Sequence, residues 1–330
     1  MSAQDKGEIL ALVANSGLPR QKALAKLGIP RSTYYRWLKR KTKGRLEDKR
    51  GGSSVPWNKL TPEENERILT KARASPEISA RQLALRMVDL EGIYVSESTA
   101  YRILKREGLI KPAEIKGFKA GKEYHRKTER PNQLWATDCC YLKVMDWGWY
   151  YLITVMDDYS RFILSWDLKI NMAAESLIDV VQQAVDLTGM TDVPVENRTV
   201  LLSDNGSGYL SRGFNDYLDL VDIRHILASP FHHQTNGKIE RYHRSLRGEI
   251  DLVPYDVPSR LREAIRGFVE YYNYHRYHEG LGDVIPYDVY TGRHIQVIEK
   301  RKEVKSRTLQ ERRSYNKIVR EQKNSPLSVH

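Results

Sequence analysis

Cysteine is nearly absent from this 330-residue chain: Cys139 and Cys140 are the two, and they are adjacent. Such a pair gives no disulfide framework and cannot furnish a Cys₂His₂ or Cys₄ zinc site. That usage points to a reducing, cytosolic setting. Long apolar runs are missing too, since none approaches the roughly 20 residues of a membrane span. The opening Met1-Ser2-Ala3-Gln4-Asp5-Lys6 lacks the charged-then-apolar layout of a signal peptide. The expectation is a soluble, intracellular protein. What the chain has in excess is positive charge, +12 formally with a pI near 9.4. That balance favours a polyanionic partner, although acidic proteins and membrane surfaces also attract basic chains. The length predicts two or three domains.

Two basic helical units open the chain. Ile9, Leu10, Leu12 and Val13 recur at helical spacing, a short helix over 21–27 stops at Gly28, and Ser32 is the expected N-cap of a helix over 33–40. Helix, Gly-containing turn and a helix carrying Arg31, Arg36, Lys39 and Arg40 predict a helix-turn-helix domain over 1–40. A small bundle with a solvated basic face is the plainer alternative. Residues 41–58 read as a basic linker ending in Gly and Ser. A second unit over 59–112, winged-helix-like, starts at Thr61-Pro62-Glu63-Glu64, with helices expected over 63–75 and 100–107 and with Arg102 and Lys105 on the last. Residues 113–130 form a second basic linker, and 294–330 a basic tail, helical or disordered.

Between them the composition changes. Three short strands fall between 134 and 168, joined by turns at Asp146-Trp147-Gly148 and at Asp157-Asp158-Tyr159-Ser160. A helix over 173–187, a strand over 199–203, a helix over 212–220, a strand over 223–227, and helices over 236–251 and 259–275 follow. The first three strands must be antiparallel, because their connections are too short for crossovers. The pattern predicts an α/β layer with helices packed on a mixed five-stranded sheet.

Three acids stand out in this region. Asp138 sits inside a strand, where aspartate is disfavoured. Asp204 ends an apolar run at Ser203-Asp204-Asn205-Gly206, and ligands gather at strand ends in α/β sheets. Glu240 falls one turn into a helix, with 35 residues between it and Asp204, on a face shared with Asn236, Arg244 and Arg247. Each has a plain reading: an odd strand residue, an Asp-Asn-Gly turn, a surface Glu–Arg pair. Together, three carboxylates from separate elements suit hard divalent cations and two-metal displacement at phosphorus. Asp157 and Asp158 read better as turn residues than as ligands. His232 and His233 diverge in an extended loop and are not expected to bind zinc. His225 reads as structural, and Tyr271, Tyr272, Tyr274 and Tyr277 as a helix packed on the core.

The stretch 131–293 resembles the catalytic core of the retroviral-integrase and DDE-transposase superfamily, and most of all bacterial insertion-sequence transposases. The carrying motifs are Trp135-Ala136-Thr137-Asp138, Asp157-Asp158-Tyr159-Ser160-Arg161, Ser203-Asp204-Asn205-Gly206, Gln234-Thr235-Asn236-Gly237-Lys238-Ile239-Glu240-Arg241 and Tyr272-Asn273-Tyr274-His275-Arg276-Tyr277-His278. The resemblance implies an RNase H-like fold and a catalytic, metal-binding triad of Asp138, Asp204 and Glu240 with two Mg²⁺ or Mn²⁺ ions. It also implies Asn236, Arg244 and Arg247 near DNA ends, with Lys238 beside them. The partner expected is double-stranded DNA, held by a homo-multimer on paired ends in a bacterial cytoplasm at the nucleoid. The expected activity is transposition; a silent DNA-binding regulator and a structure-directed nuclease are the alternatives. Helix-turn-helix units stand where retroviral integrases carry a zinc domain.

Overall fold

The computed structural model describes residues 3–44, 46, 55–110, 128–228 and 237–324. The linker 113–130 lies almost wholly outside them, as does much of 41–58. The chain divides into two compact units, residues 1–61 with 311–330, and residues 62–310.

In the first unit, α1 (Ala3–Asn15), α2 (Arg20–Lys26) and α3 (Arg31–Lys41) enclose Leu10, Val13, Ala23, Leu24, Tyr34 and Trp37. Leu10 with Val13 and Tyr34 with Trp37 are three apart, so each pair covers one helix face. The third helix starts earlier than expected. Its N-cap is Pro30 rather than Ser32, because the Pro30 carbonyl already accepts from the amides of Thr33 and Tyr34 at 3.0 and 3.1 Å.

The second unit begins with α4 (Pro62–Ala74), α5 (Ala80–Leu90) and α6 (Glu97–Arg106), packed through Ile68, Ala72, Leu83, Met87, Ala100 and Ile103. Ser79 and Gln82 make a reciprocal capping box on α5. Ser96 caps α6 through the Thr99 amide, which moves its start to Glu97, one turn before the expected residue 100. No strand accompanies these helices among the described residues, so the expected wing has no counterpart there.

The sheet of this unit comprises β1 (Leu134–Val144), β2 (Gly148–Asp157) and β3 (Ile163–Lys169), then, after α7 (Ala174–Thr188), β4 (Val200–Ser203) and, after α8 (Arg212–Leu220), β5 (Arg224–Leu227). Strand order is β3-β2-β1-β4-β5, antiparallel among the first three and parallel across β1-β4-β5. This is the expected mixed five-stranded sheet. Then come α9 (Gly237–Ile250), α10 (Pro258–Tyr274), α11 (Pro286–Tyr290) and α12 (His294–Asn324).

Alternation along the strands gives the sheet two buried faces. Ala136, Cys140, Leu142 and Val144 meet α9 and α10 through Ile239, Tyr242, Leu246 and Ile265. Trp135, Ile153 and Val155 meet α7 through Leu177, Val180, Val181, Ala184 and Val185. Helix α7 opens at Ala173 without a side-chain cap, a loss of about 1 kcal/mol. Its five buried side chains outweigh that, since the larger ones contribute about 1.5–3 kcal/mol each.

Of the basic tail, His294–Asn324 form a 31-residue helix. In the second unit, Arg301 forks onto Asp89 at 2.8 and 2.7 Å, and Thr308 accepts from the Tyr94 amide. In the first, Asn316 donates to the carbonyls of Trp57 and Lys59, and Arg320 to that of Val55. Among the described residues no helix is long and apolar enough to cross a membrane.

Candidate active site

Asp138 points from the middle of β1 toward α9. Its Oδ1 accepts from the Cys139 amide at 2.8 Å, and its Oδ2 lies 3.2 Å from His243 Nδ1. A carboxylate only accepts, so Nδ1 carries the proton and Nε2 is left to accept from the Thr154 hydroxyl, 3.2 Å away. Asp138 and Thr154 are cross-strand partners in β1 and β2. The buried His243 thus straddles a registered pair and latches α9 to the sheet.

Asp204 follows β4 directly. The parallel register pairs Leu134 with Val200 and Ala136 with Leu202; carried two residues on, it sets Asp138 opposite Asp204. Asp204 is exposed, with Oδ1 accepting from the Gly206 amide at 2.9 Å. The loop beyond lies close against residue 172: a Cβ on Gly208 would sit 2.3 Å from the Met172 carbonyl oxygen, so a side chain there is excluded. The fields of both aspartates meet nearby. Burial first, then Asp138, Cys140 and Asp204, push the Cys139 thiol up to about 12. Burial, and then Asp138 among its neighbours, raise the Tyr209 phenol, which shares a hydrogen bond with Thr137.

Glu240 stands half-buried in the first turn of α9, where the helix dipole favours an acid. It is three residues before His243, and therefore on the same side of the helix. Among the described residues no three His, Cys, Asp or Glu side chains are grouped closely enough to hold a metal ion. The structure places Asp138 on β1 and Asp204 just past the end of the neighbouring β4, and holds the helix of Glu240 to Asp138 through His243. The donor chemistry fits Mg²⁺ or Mn²⁺: the acids offer hard oxygens, and the neutral Cys139 thiol brings no competing soft anion.

Asp157 closes β2 and Asp158 opens the turn that follows. Asp157 is buried and accepts from the amides of Asn132 and Ser160. Asp158 pairs with Lys238 at 2.7 Å and accepts from Thr128. Lys238, expected near DNA, is thereby engaged within the protein. So is Arg247, which donates to Cys140 Sγ at 3.0 Å and to the Tyr141 carbonyl at 2.6 Å. Arg102 turns back onto Ser98 and Thr99 of its own helix. Arg31, Arg36, Lys39, Lys105 and Arg244 are exposed, and Arg40 is half-buried. Asn236, His232 and His233 lie outside the described residues. His225 bonds Ser203 and Asn215, the structural role read for it. His243 was missed by the sequence reading. It stands in the buried α9 stripe of Ile239, Tyr242, Leu246 and Ile250, and a polar residue there demands a partner.

One integrase core model matches residues 128–233 and a second matches 221–286, while homeodomain-like domain models match 1–49 and 33–104. Residues 128–286 are thus similar to integrase core domains. The chain is 29% identical over 119 residues to Transposase InsF for insertion sequence IS3A of Escherichia coli K12, covering 36% of this chain and 39% of the relative. It is 27% identical over 123 residues to the Gag-Pro-Pol polyprotein of Mason-Pfizer monkey virus, covering 37% of this chain and 6% of that one. The similarity therefore spans about two-fifths of the transposase's length. Among solved structures, the HTLV-2 integrase catalytic core domain in complex with magnesium (trimeric form) is 20% identical, with a TM-score of 0.39, covering 50% of this chain and 99% of that one.

Proposed function

We propose that the chain is a DNA transposase that binds the ends of a mobile element, hydrolyses a phosphodiester there, and joins the freed 3′-OH to a second DNA strand. The observation that carries this reading is the placement of Asp138 on β1 and of Asp204 just past the end of the adjacent β4, with the helix of Glu240 latched to Asp138 by His243. The three carboxylates would hold two Mg²⁺ or Mn²⁺ ions, which would lower the pKa of the attacking water or hydroxyl and stabilise the leaving oxygen. The protein's own part is orientation. The Cys139 amide and His243 fix the two oxygens of Asp138, and the Gly206 amide fixes one of Asp204. No covalent enzyme intermediate is required, so no nucleophilic side chain is assigned.

We assign end binding to the helical units over 1–40 and 59–112, the linking segments to 41–58 and 113–130, and chemistry to 131–293. Exposed Arg31, Arg36, Lys39 and Lys105 would neutralise phosphates, giving salt-dependent affinity. A multimer on paired element ends, working at the bacterial nucleoid, completes the reading. The test is a strand-transfer assay with labelled ends and Mg²⁺, comparing the natural chain with Asp204→Asn. Joined product from the natural chain alone supports the assignment. Equal product from both removes Asp204 from the site, cleavage without joining indicates a nuclease, and specific binding without cleavage indicates a regulator.

A further inference from the structure

The face of the sheet that α7 covers is longer than α7. Beyond Ile153 and Val155, which the helix buries, the same face continues along the β1–β2 ribbon with Tyr141 and Lys143 on one strand and Tyr151 and Trp149 on the other. Tyr141 lies across from Tyr151, their rings edge-to-face at 5.1 Å, and Lys143 lies across from Trp149. Tyr141 is 47% exposed and Trp149 59% exposed, and Trp147 at the turn is 60% exposed. Large aromatic surface left in water in one patch marks a contact site.

We infer that this end of the ribbon is a stacking platform for unpaired bases of a nucleic-acid strand running from the carboxylate site. The inference rests on the transposase reading for its ligand class. Three observations favour that ligand. First, the platform is continuous with the loop of Asp204. The Tyr141 hydroxyl donates to Met172 Sδ at 3.6 Å, Met172 Cε lies 3.6 Å from where a Cβ of Gly206 would stand, and the Gly206 amide bonds Asp204. The Tyr141 phenol registers the acids as well: it is raised by burial first, and then by Cys139, Tyr151, Asp204 and Asp138. Second, the rings are interleaved with cations. Lys143 is exposed between Tyr141 and the turn, and Lys169, held by Asp167 and Asp179, stands across from Tyr151 on β3. Third, Trp149 and Tyr151 are two residues apart on one strand, about 6.6 Å, and sheets with aromatic rings on one face stack two or three bases of a single strand. A duplex hides the faces of its bases, so the ligand must be unpaired.

The experiment measures fluorescence anisotropy of the full chain with dye-labelled oligonucleotides in EDTA, where no cleavage occurs. One probe is a blunt duplex, the second the same duplex with a thymine overhang. The natural chain is expected to bind the overhang probe more tightly. Tyr141→Ala with Trp149→Ala should lose that gain, by at least about fivefold per ring removed, while Tyr141→Phe with Trp149→Phe keeps it. Circular dichroism and light scattering check that the alanine variant is folded and of unchanged size. No preference for the overhang in the natural chain, or a preference that survives both alanines, overturns the platform. A variant that changes oligomeric state but not overhang binding makes the face a contact between copies and also overturns it. Overhang preference in a chain that joins no strands would sink the transposase reading and leave the platform standing.

Discussion

Aspartate in the centre of a strand is an anomaly that its neighbours must resolve. Here one oxygen of Asp138 is taken by the next amide in the chain and the other by His243, which is itself braced on Thr154. His243 is a positioning residue: it acts through Asp138. Replacing it with alanine should lower strand transfer by about 10–100-fold, the usual cost of removing a partner of a metal-ligating side chain. End binding should stay unchanged, with partial rescue by His243→Asn, which can still donate to Asp138. A His243→Ala protein that transfers strands at the natural rate, or loses end binding equally, would contradict the role. The acid anomaly was legible from residue types alone. His243 was not, because an i, i+3 relation to Glu240 says nothing of which strand the helix will face.

Elements whose apolar period is strong were legible almost to the residue. The β1–β2–β3 run, α8 and β5 follow from alternation and turn residues, and the turn residues Asp146 and Gly148 take positive φ. Caps were harder to read: α3 is capped at Pro30 and α6 at Ser96, because a carbonyl or hydroxyl earlier in the chain reaches the first amides. Beyond α10, His278 sits against Tyr272 and Arg161, where burial first, then Arg161, Arg276 and Arg241, push it down to about 3 from 6.5. The unfolded chain then binds a proton below 6.5 that the native chain refuses until about 3. This histidine's contribution is therefore complete above that upper value and is lost as pH falls toward the lower. The loss is at most about 1.4 kcal/mol per pH unit within the window. Urea midpoints measured from neutral to acid pH should fall more steeply for the natural chain than for His278→Gln. Parallel curves would show that His278 titrates normally.

At the scale of the whole molecule, the tail takes the helical one of its two expected forms. Its helix uses polar anchors, Arg301 on Asp89 and Asn316 on the carbonyls of Trp57 and Lys59, which a hydropathy pattern does not register. Within the first unit, deleting 311–330 removes the partners of the Val55, Trp57 and Lys59 carbonyls. Limited proteolysis should then cut near residues 55–60 much faster, with residues 134–274 still protected; unchanged cleavage would contradict the anchoring. The central claim is that Asp138, Asp204 and Glu240 act as one site. The most direct measurement is strand-transfer product from Asp138→Asn, Asp204→Asn and Glu240→Gln, singly and combined. Residues that work as a unit are strongly non-additive, so each single variant should fall to the same floor as the triple, with end binding intact. A single variant that keeps the natural rate, or losses that multiply across the combinations, would contradict it.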